Sequence, residues 1–418
     1  MARTVAIVGS LDTKGQEFQF IKRLVEEKGL QTLTIDFGVM GPPTFEPDIT
    51  REEVVAAVGG DLERLTSGDH KDEAMQTMAN GLAAVVRKLY DEGKLHGIIG
   101  MGGSGGTSIT TTAMRALPVG IPKLMVSTMG GGDVSAFAGT KDVTFMPSIV
   151  DVAGFNRISR RIYANAAGAI AGMVLTEAPA EAEEKPTIVA SMFGNTTTAV
   201  DHAREILEGK GYEVLVFHAT GTGGRTMESL IEDGLIDASL DITTTELADE
   251  VCGGVLSAGP ERCLAASRAG IPAVLVPGCV DMANFGAPET VPAKYAGRTL
   301  YKWNPNVTLL RTNVEENRRI GEMLGAAANA ATGPVAILLP LGGVSMLDSK
   351  GHEFWDPEVD RACYDAIKAT VKPDIPVIEL DNNINDPAFA ERAVEELLGM
   401  LEKSRATAPE PELVGTGR

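Results

Sequence analysis

Apolar runs recur along the chain, and each gives way to a polar, glycine-bearing turn and then to an amphipathic stretch. Val5-Ala6-Ile7-Val8, Leu33-Thr34-Ile35, Ile98-Ile99 and Leu124-Met125-Val126 have the short, continuous apolar character of buried parallel strands. Between them, Phe18, Ile21, Leu24 and Val25 fall on one face of a helix that Gly29 ends, and Met75, Met78, Leu82, Val85, Val86 and Leu89 line a second. Strand, helix and strand in succession imply a parallel sheet with right-handed crossovers.

The same grammar restarts at Thr187-Ile188-Val189-Ala190. Glu26-Glu27-Lys28-Gly29-Leu30 has a worn counterpart in Leu207-Glu208-Gly209-Lys210-Gly211-Tyr212, and Gly120-Ile121-Pro122 in Gly270-Ile271-Pro272 before Ala273-Val274-Leu275-Val276. The expected fold is therefore α/β, with two Rossmann-like three-layer subdomains of mainly parallel sheet. The expected divisions are 1–178, a Glu/Ala/Pro linker at 179–186, 187–402, and a frayed polar tail at 403–418. A length of 418 residues suits two such domains at about 150 residues or more each.

Candidate chemistry lies in the turns that follow the strands. Gly97-Ile98-Ile99-Gly100-Met101 opens into Gly102-Gly103-Ser104-Gly105-Gly106-Thr107 and a helix, which is a bare-backbone cradle for a phosphate. Thr107 stands where a P-loop would place lysine, and the dinucleotide spacing Gly100, Gly102, Gly105 lacks an acidic residue about 20 positions on. A turn glycine-rich only for tight packing is the alternative. Ser127-Thr128-Met129-Gly130-Gly131-Gly132-Asp133 forms a second such turn. With 9–15 and 36–43, where Asp36 ends a strand, these turns are expected to share one crevice at the carboxyl edge of the first sheet. In the second half, Gly221-Thr222-Gly223-Gly224-Arg225, Gly278 to Gly286 and Leu341 to Ser345 are candidates for a further ligand site, with Asp348, His352, Glu353 and Asp356 close by in sequence.

Composition narrows the partners. A net charge of −20 without a basic cluster larger than Arg160-Arg161 or Arg318-Arg319 argues against nucleic acid. No apolar run approaches the ~18 residues of a membrane span, and the start lacks a secretory pattern, so a cytoplasmic location with no membrane partner is expected. The four cysteines and five histidines show no zinc spacing and read as buried thiols and scattered imidazoles. The helix that follows Asp151 to Arg161 is small on nearly every side (Ala164, Ala166, Ala167, Gly168, Ala169, Ala171, Gly172). That composition suits either tight packing within the chain or contact with a second copy.

Val8 to Gly15, Gly102 to Thr107, Ser127-Thr128-Met129, Asp151 to Ser159, Asp281 to Gly286 and Pro340 to Ser345 together resemble the family related to the ATP-binding, inhibitory N-terminal domain of the tomato mosaic virus resistance protein. The resemblance implies two Rossmann-like subdomains, ATP in the first, and a homodimer. On that reading ATP and Mg2+ would contact Gly9, Ser10, Asp12, Thr13, Lys14, Asp36, Gly38, Gly102, Gly103, Ser104, Gly105, Gly106, Thr107, Ser127, Thr128, Gly130 and Gly131. Lys14 would be the phosphate cation, Asp12 or Asp133 the magnesium ligand, and Ser104 and Thr107 the hydroxyl donors. Asn156, Arg157, Asp281, Asn284, Gly342, Gly343 and Ser345 are the candidate contacts of a small-molecule acceptor between the domains, and Lys14, Asp133 and His352 the candidate catalytic groups. Transfer of a phosphoryl or nucleotidyl group is the expected reaction. The alternatives are a nucleotide-gated protein-binding module without turnover and an enzyme whose glycine turns hold a phosphorylated or carboxylated substrate instead of ATP.

Overall fold

A computed structural model describes residues 3–66, 71–177 and 185–407. The chain forms two compact units, up to residue 181 and from 182 onward. The first carries β1 (Thr4–Gly9), α1 (Leu11–Glu26), β2 (Gln31–Asp36), α2 (Arg51–Ala56), α3 (Leu62–Thr66), α4 (Lys71–Asp91), β3 (Gly97–Gly102), α5 (Ser104–Arg115), β4 (Lys123–Ser127), α6 (Ser135–Ala138), β5 (Thr144–Pro147) and α7 (Arg157–Leu175). Its sheet is parallel in the order β2-β1-β3-β4-β5.

Successive side chains of a strand point to opposite faces, and the apolar runs supply both. Ala6 and Val8 join Ile98, Met125 and the helices α2, α4 and α5 on one side. Val5 and Ile7 join Ile99, Leu124, Val126 and the helices α1 and α7 on the other. That division explains why these strands are apolar throughout and do not alternate. Because the chain leaves β1 toward β2 on one face and returns to β3 across the other, the carboxyl ends of β1 and β3 flank the switch point of the sheet.

The second unit carries β6 (Thr187–Met192), α8 (Thr197–Gly209), β7 (Glu213–His218), α9 (Thr222–Glu232), β8 (Ala238–Thr243), α10 (Thr245–Cys252), α11 (Ala265–Ala269), β9 (Ala273–Gly278), β10 (Met282–Phe285), β11 (Leu300–Asn304), β12 (Val307–Arg311), α12 (Val314–Asn329), β13 (Val335–Pro340), α13 (Pro357–Thr370), β14 (Val377–Leu380) and α14 (Pro387–Thr407). Its main sheet runs β7-β6-β8-β9-β13-β14, also parallel, so its first five strands repeat the order of the first unit. The internal repeat legible in the sequence is thus a repeat of topology. A small antiparallel sheet, β10-β12-β11, is inserted after β9.

Two boundaries differ from expectation. The expected linker overlaps residues 178–184, which lie outside the described residues, and the second unit is already paired at Pro186, whose carbonyl accepts from the Glu213 amide. Helix α14 continues past 402 to Thr407, because Leu397, Leu398 and Leu401 bury its inner face against the second sheet and hold the polar end in register. The remainder of the expected tail lies outside the described residues.

Tyr163 of α7 is fully buried, and its hydroxyl has no hydrogen-bond partner among the described residues. Burial, with Glu17 and Asp151 nearby, pushes its pKa up to about 12. Since an unsatisfied buried hydroxyl costs about 1–3 kcal/mol, Tyr163→Phe is expected to raise the urea midpoint by an amount worth about 1 kcal/mol, with the m-value unchanged. An unchanged or lower midpoint would show that the hydroxyl is satisfied in solution.

Candidate functional site

The four turns of the first unit meet at its carboxyl edge in two bonded pairs. Beside β1, Asp36 is fully buried and its Oδ1 accepts from Leu11 N at 3.0 Å and from Gly38 N at 2.9 Å. Burial raises its pKa. Asp12 accepts from Met40 N at 2.7 Å and Gly41 N at 3.1 Å. Both carboxylates therefore serve the chain's own amides, and Asp36 fills the start of α1 where an anion would otherwise lie. Beside β3, the Thr107 and Ser127 hydroxyls bond at 2.6 Å, Ser127 Oγ accepts from Met129 N at 2.9 Å, and Thr128 N donates to Gly102 O at 3.2 Å. Thr107 and Ser127, expected as ligand donors, fasten the two glycine turns together.

The start of α5 is different. Gly103 caps it with extended backbone and no side-chain hydrogen bond, no acidic residue lies in its first turn, and its first amides have no acceptor within the helix. The glycines themselves divide into two groups. A methyl on Gly9 would stand 2.0 Å from the Phe18 ring, on Gly15 1.7 Å from Thr44 Oγ1, on Gly38 2.5 Å from Asp12 Cγ, and on Gly102 3.0 Å from Gly106 Cα, so packing requires these glycines. At Gly103, Gly105 and Gly106 the nearest atoms would be at 3.8, 3.5 and 3.6 Å, which is ordinary contact, and at Gly131 nothing lies within 4 Å. None of these four has positive φ. Neither packing nor backbone conformation requires glycine at these four positions.

The second unit gives the opposite result. A methyl on Gly223 would meet His218 O at 1.8 Å, on Gly224 Glu246 Oε2 at 2.1 Å, on Gly278 Ile242 O at 2.1 Å, on Gly342 Asn382 C at 2.6 Å, and on Gly343 Asp348 O at 1.7 Å. The Gly221 turn resembles a phosphate cradle in sequence, but Glu246 already occupies it, its Oε1 accepting from Gly221 N at 2.6 Å and Gly224 N at 3.1 Å. At Gly342 and Gly343, expected as ligand contacts, packing within the chain requires the glycines, and at the Gly221 turn the amides are engaged by an internal carboxylate. Helix α8 also lacks a side-chain cap, and a methyl on Gly194 in the loop leading into it would stand 3.7 Å from the indole of Trp303 of β11.

Two buried ionic knots, which the sequence did not disclose, account for much of the polarity in that unit. Arg262 is held by Asp241 at 2.7 Å and Glu246 at 2.6 Å, with Glu228 at 3.7 Å. Arg311 is held by Asp360 at 2.7 Å and faces Asp348 at 3.5 Å, while Asp281, fully buried, accepts from the Ser345 hydroxyl at 2.9 Å. Each guanidinium faces an excess of carboxylate, and burial raises the pKa of Asp281, Asp348 and Asp360. Asn284 belongs to a third group: its Nδ2 donates to Asp249 at 2.7 Å, and burial pushes Asp249 up to about 7. The structure thus joins Asp281 to Ser345 and bonds Asn284 to Asp249 instead.

The remaining candidates are spread out. Lys14 interrupts α1 with non-helical backbone (φ −133°, ψ 19°), is half-buried, and has no ion-pair or hydrogen-bond partner among the described residues for its ammonium. Thr13 is exposed beside it, and Ser10 caps α1 without a side-chain bond. Asp133 is exposed and its Oδ1 accepts from Ser135 N at 2.9 Å, which lowers its pKa. Asp12 and Asp133 follow β1 and β4, two strands apart at about 4.8 Å each, too far to share one Mg2+ at about 2.1 Å from each ligand. Among the described residues, no three His, Cys, Asp or Glu side chains gather to hold a metal. Asn156 caps α7, accepting from Ile158 N at 2.8 Å and Ser159 N at 2.9 Å, and Arg157 is exposed beside it. His352 is exposed on the loop before α13 of the second unit. Among the described residues, no helix is long and apolar enough to cross a membrane.

Comparison with known proteins agrees with this two-unit architecture. Residues 3–179 match the N-terminal domain, and residues 185–401 the C-terminal domain, of an uncharacterised protein family, UPF0261. The chain belongs to this family. A UPF0261 protein of Clostridium tetani is 50% identical over 96% of this chain and 100% of its own length, and one of Rhizobium meliloti 46% identical over 94% and 98%. The tomato ToMV resistance protein Tm-1(GCR237) is 39% identical over 83% of this chain and 47% of its own length, so this UPF0261 chain matches about half of the plant protein. The resemblance drawn from the glycine turns and the Asp151 to Ser159 segment is a true kinship.

The raised carboxyls give a pH dependence with a defined sign. Burial pushes Glu228, like Asp249, up to about 7, so between the unfolded values near 4 and pH 7 the folded chain holds more protons than the unfolded one. Their contribution to stability is complete below about pH 4 and is lost as pH rises toward 7. Asp249→Asn, with the Asn284 amide turned to present its oxygen, keeps the hydrogen bonds and removes the titration. The fall in unfolding free energy from pH 5 to pH 8 is therefore expected to be smaller in the variant by at least about 1 kcal/mol. Parallel wild-type and variant profiles would refute the assignment.

Proposed function

We propose that the first unit binds ATP as its magnesium complex, with the phosphates against the first turn of α5 and between the turns that follow β3 and β4. The observation that supports it is the set of glycines, Gly103, Gly105, Gly106 and Gly131, whose lack of a side chain the chain itself does not need. Ser104, exposed at the helix start, supplies a hydroxyl, and Lys14, without a partner among the described residues, supplies the cation. Asp12 and Asp36 make the neighbouring start of α1 unfavourable for an anion, which concentrates binding at α5. The bound magnesium would offset the charge of the triphosphate, with Asp12 or Asp133 as the protein carboxylate available to it.

Two uses of the nucleotide fit this site. In one, a phosphoryl or nucleotidyl group passes to a small metabolite, with Lys14 and Asp133 as the groups of this unit able to carry charge. In the other, bound ATP fixes a conformation that a partner recognises. Polar turns in the second unit were the argument for an acceptor site there, and those turns are engaged by Glu246, Asp249 and Asp348. That closure favours the second use. Assembly as a homodimer through α7 belongs to the same proposal: Gly168 and Gly172 lie on its outer face, where an added carbon would meet nothing within 4 Å.

Gly105→Val places a branched side chain at the proposed phosphate contact while its first carbon only touches Met75 at 3.5 Å. Calorimetry with Mg-ATP is expected to show affinity reduced by about 100-fold or more, the loss of several charge-assisted hydrogen bonds, with the ligand-free melting temperature not lowered. Lys14→Met is expected to weaken binding about tenfold, also without loss of ligand-free stability. Equal affinity in Gly105→Val would refute the site; an intact affinity with a lower melting temperature in Lys14→Met would make that lysine structural.

For the dimer, light scattering on the wild type and Gly168→Leu is the check. The wild type is expected at twice the chain mass and the variant at the chain mass. A monomeric wild type at micromolar concentration refutes the dimer, and a fully dimeric variant moves its contact away from α7.

A further inference from the structure

Ile149 lies two residues beyond the end of β5 with φ 63°, in the left-handed region that β-branched residues avoid. Its side chain is 73% exposed, so no burial offsets the strain within the chain. Its neighbours are anchored: Ser148 is buried and its amide donates to Ser127 O at 3.0 Å, and Val152 is fully buried. The strain is therefore held in place by a strap fastened on either side. Met129, 39% exposed, stands on the adjoining turn, where a methyl on Gly130 would lie 3.1 Å from Pro147 Cα. Two large exposed apolar side chains thus stand on the adjoining turns that follow β4 and β5, Met129 on the same turn as Gly131, at the carboxyl edge and on the side away from the acidic start of α1.

We propose that Ile149 and Met129 form the apolar seat for the base of the nucleotide, with Ile149 held in its strained conformation to present its side chain to the ring. This rests on the nucleotide reading above. The spacing fits a ligand with an anionic group at one end and a flat apolar ring at the other: the ends of β3 and β5 are two strand spacings apart, about 10 Å. Aliphatic side chains and a thioether pack against a ring face and gain from its desolvation, whereas an inorganic polyphosphate gains nothing from them. Met40, 84% exposed beyond β2, is the competing apolar contact and lies on the opposite side of β1 and β3.

The test compares Mg-ATP with magnesium tripolyphosphate, which lacks base and sugar, by calorimetry on the full chain. Ile149→Gly and Ile149→Ala are both expected to weaken ATP about tenfold and to leave tripolyphosphate within twofold. Only Ile149→Gly, which relieves the left-handed strain, is expected to raise the ligand-free melting temperature, by about 2–4 °C. ATP affinity within twofold of wild type in both variants overturns the proposal while leaving the nucleotide site intact, and so does a parallel loss of tripolyphosphate. Loss of ATP in Met40→Ala with the Ile149 variants unaffected moves the base to the other rim and also overturns it. A wild type that binds neither ligand removes the nucleotide reading and this seat with it.

Discussion

The amides that begin a helix need an acceptor, and the way this chain supplies acceptors organises the rest of the molecule. Asp36 serves the start of α1 and Glu246 the start of α9, while Asn156, Asn313 and Asp356 cap α7, α12 and α13. In each case the helix dipole is satisfied from within the chain. Helix α5 begins at the switch point of the first sheet, on a turn whose glycines bring its backbone to the surface, and it receives no carboxylate. A phosphate is the natural complement of such a start, and in a chain with net charge −20 it is a local exception to the prevailing potential.

The two units use one topology to different ends. In the first, the carboxyl edge of the sheet is assembled by the Asp12 and Asp36 carboxylates beside β1 and by hydroxyl and main-chain bonds beside β3. In the second, the same edge is filled by Arg262, Arg311 and the carboxylates around them, nearly all buried. Buried charge of this kind contributes little net stability and is costly to break, so it fixes the arrangement of the turns more than it strengthens the fold. A repeat that kept its strands and helices has in this way exchanged an open edge for a closed one.

Taken alone, the sequence determined the parallel α/β architecture, the two-unit repeat and the family, since these rest on apolar runs, helical periodicity and long motifs that each act locally. It also located the edge on which the turns of the first unit meet, because parallel strands place all their following turns at one end. Only the tertiary structure decided which glycines are needed by the chain and which are not. Gly9 and Gly105 look alike in sequence, but one faces the Phe18 ring and the other open space beside Met75. Likewise, Thr107 and Ser127 became fasteners, Glu246 closed the Gly221 turn from 22 to 25 residues away, and Asp281 and Asn284 took different partners. Whether a polar group is free or engaged depends on partners brought from distant parts of the chain, and spacing along the chain carries no record of those distances.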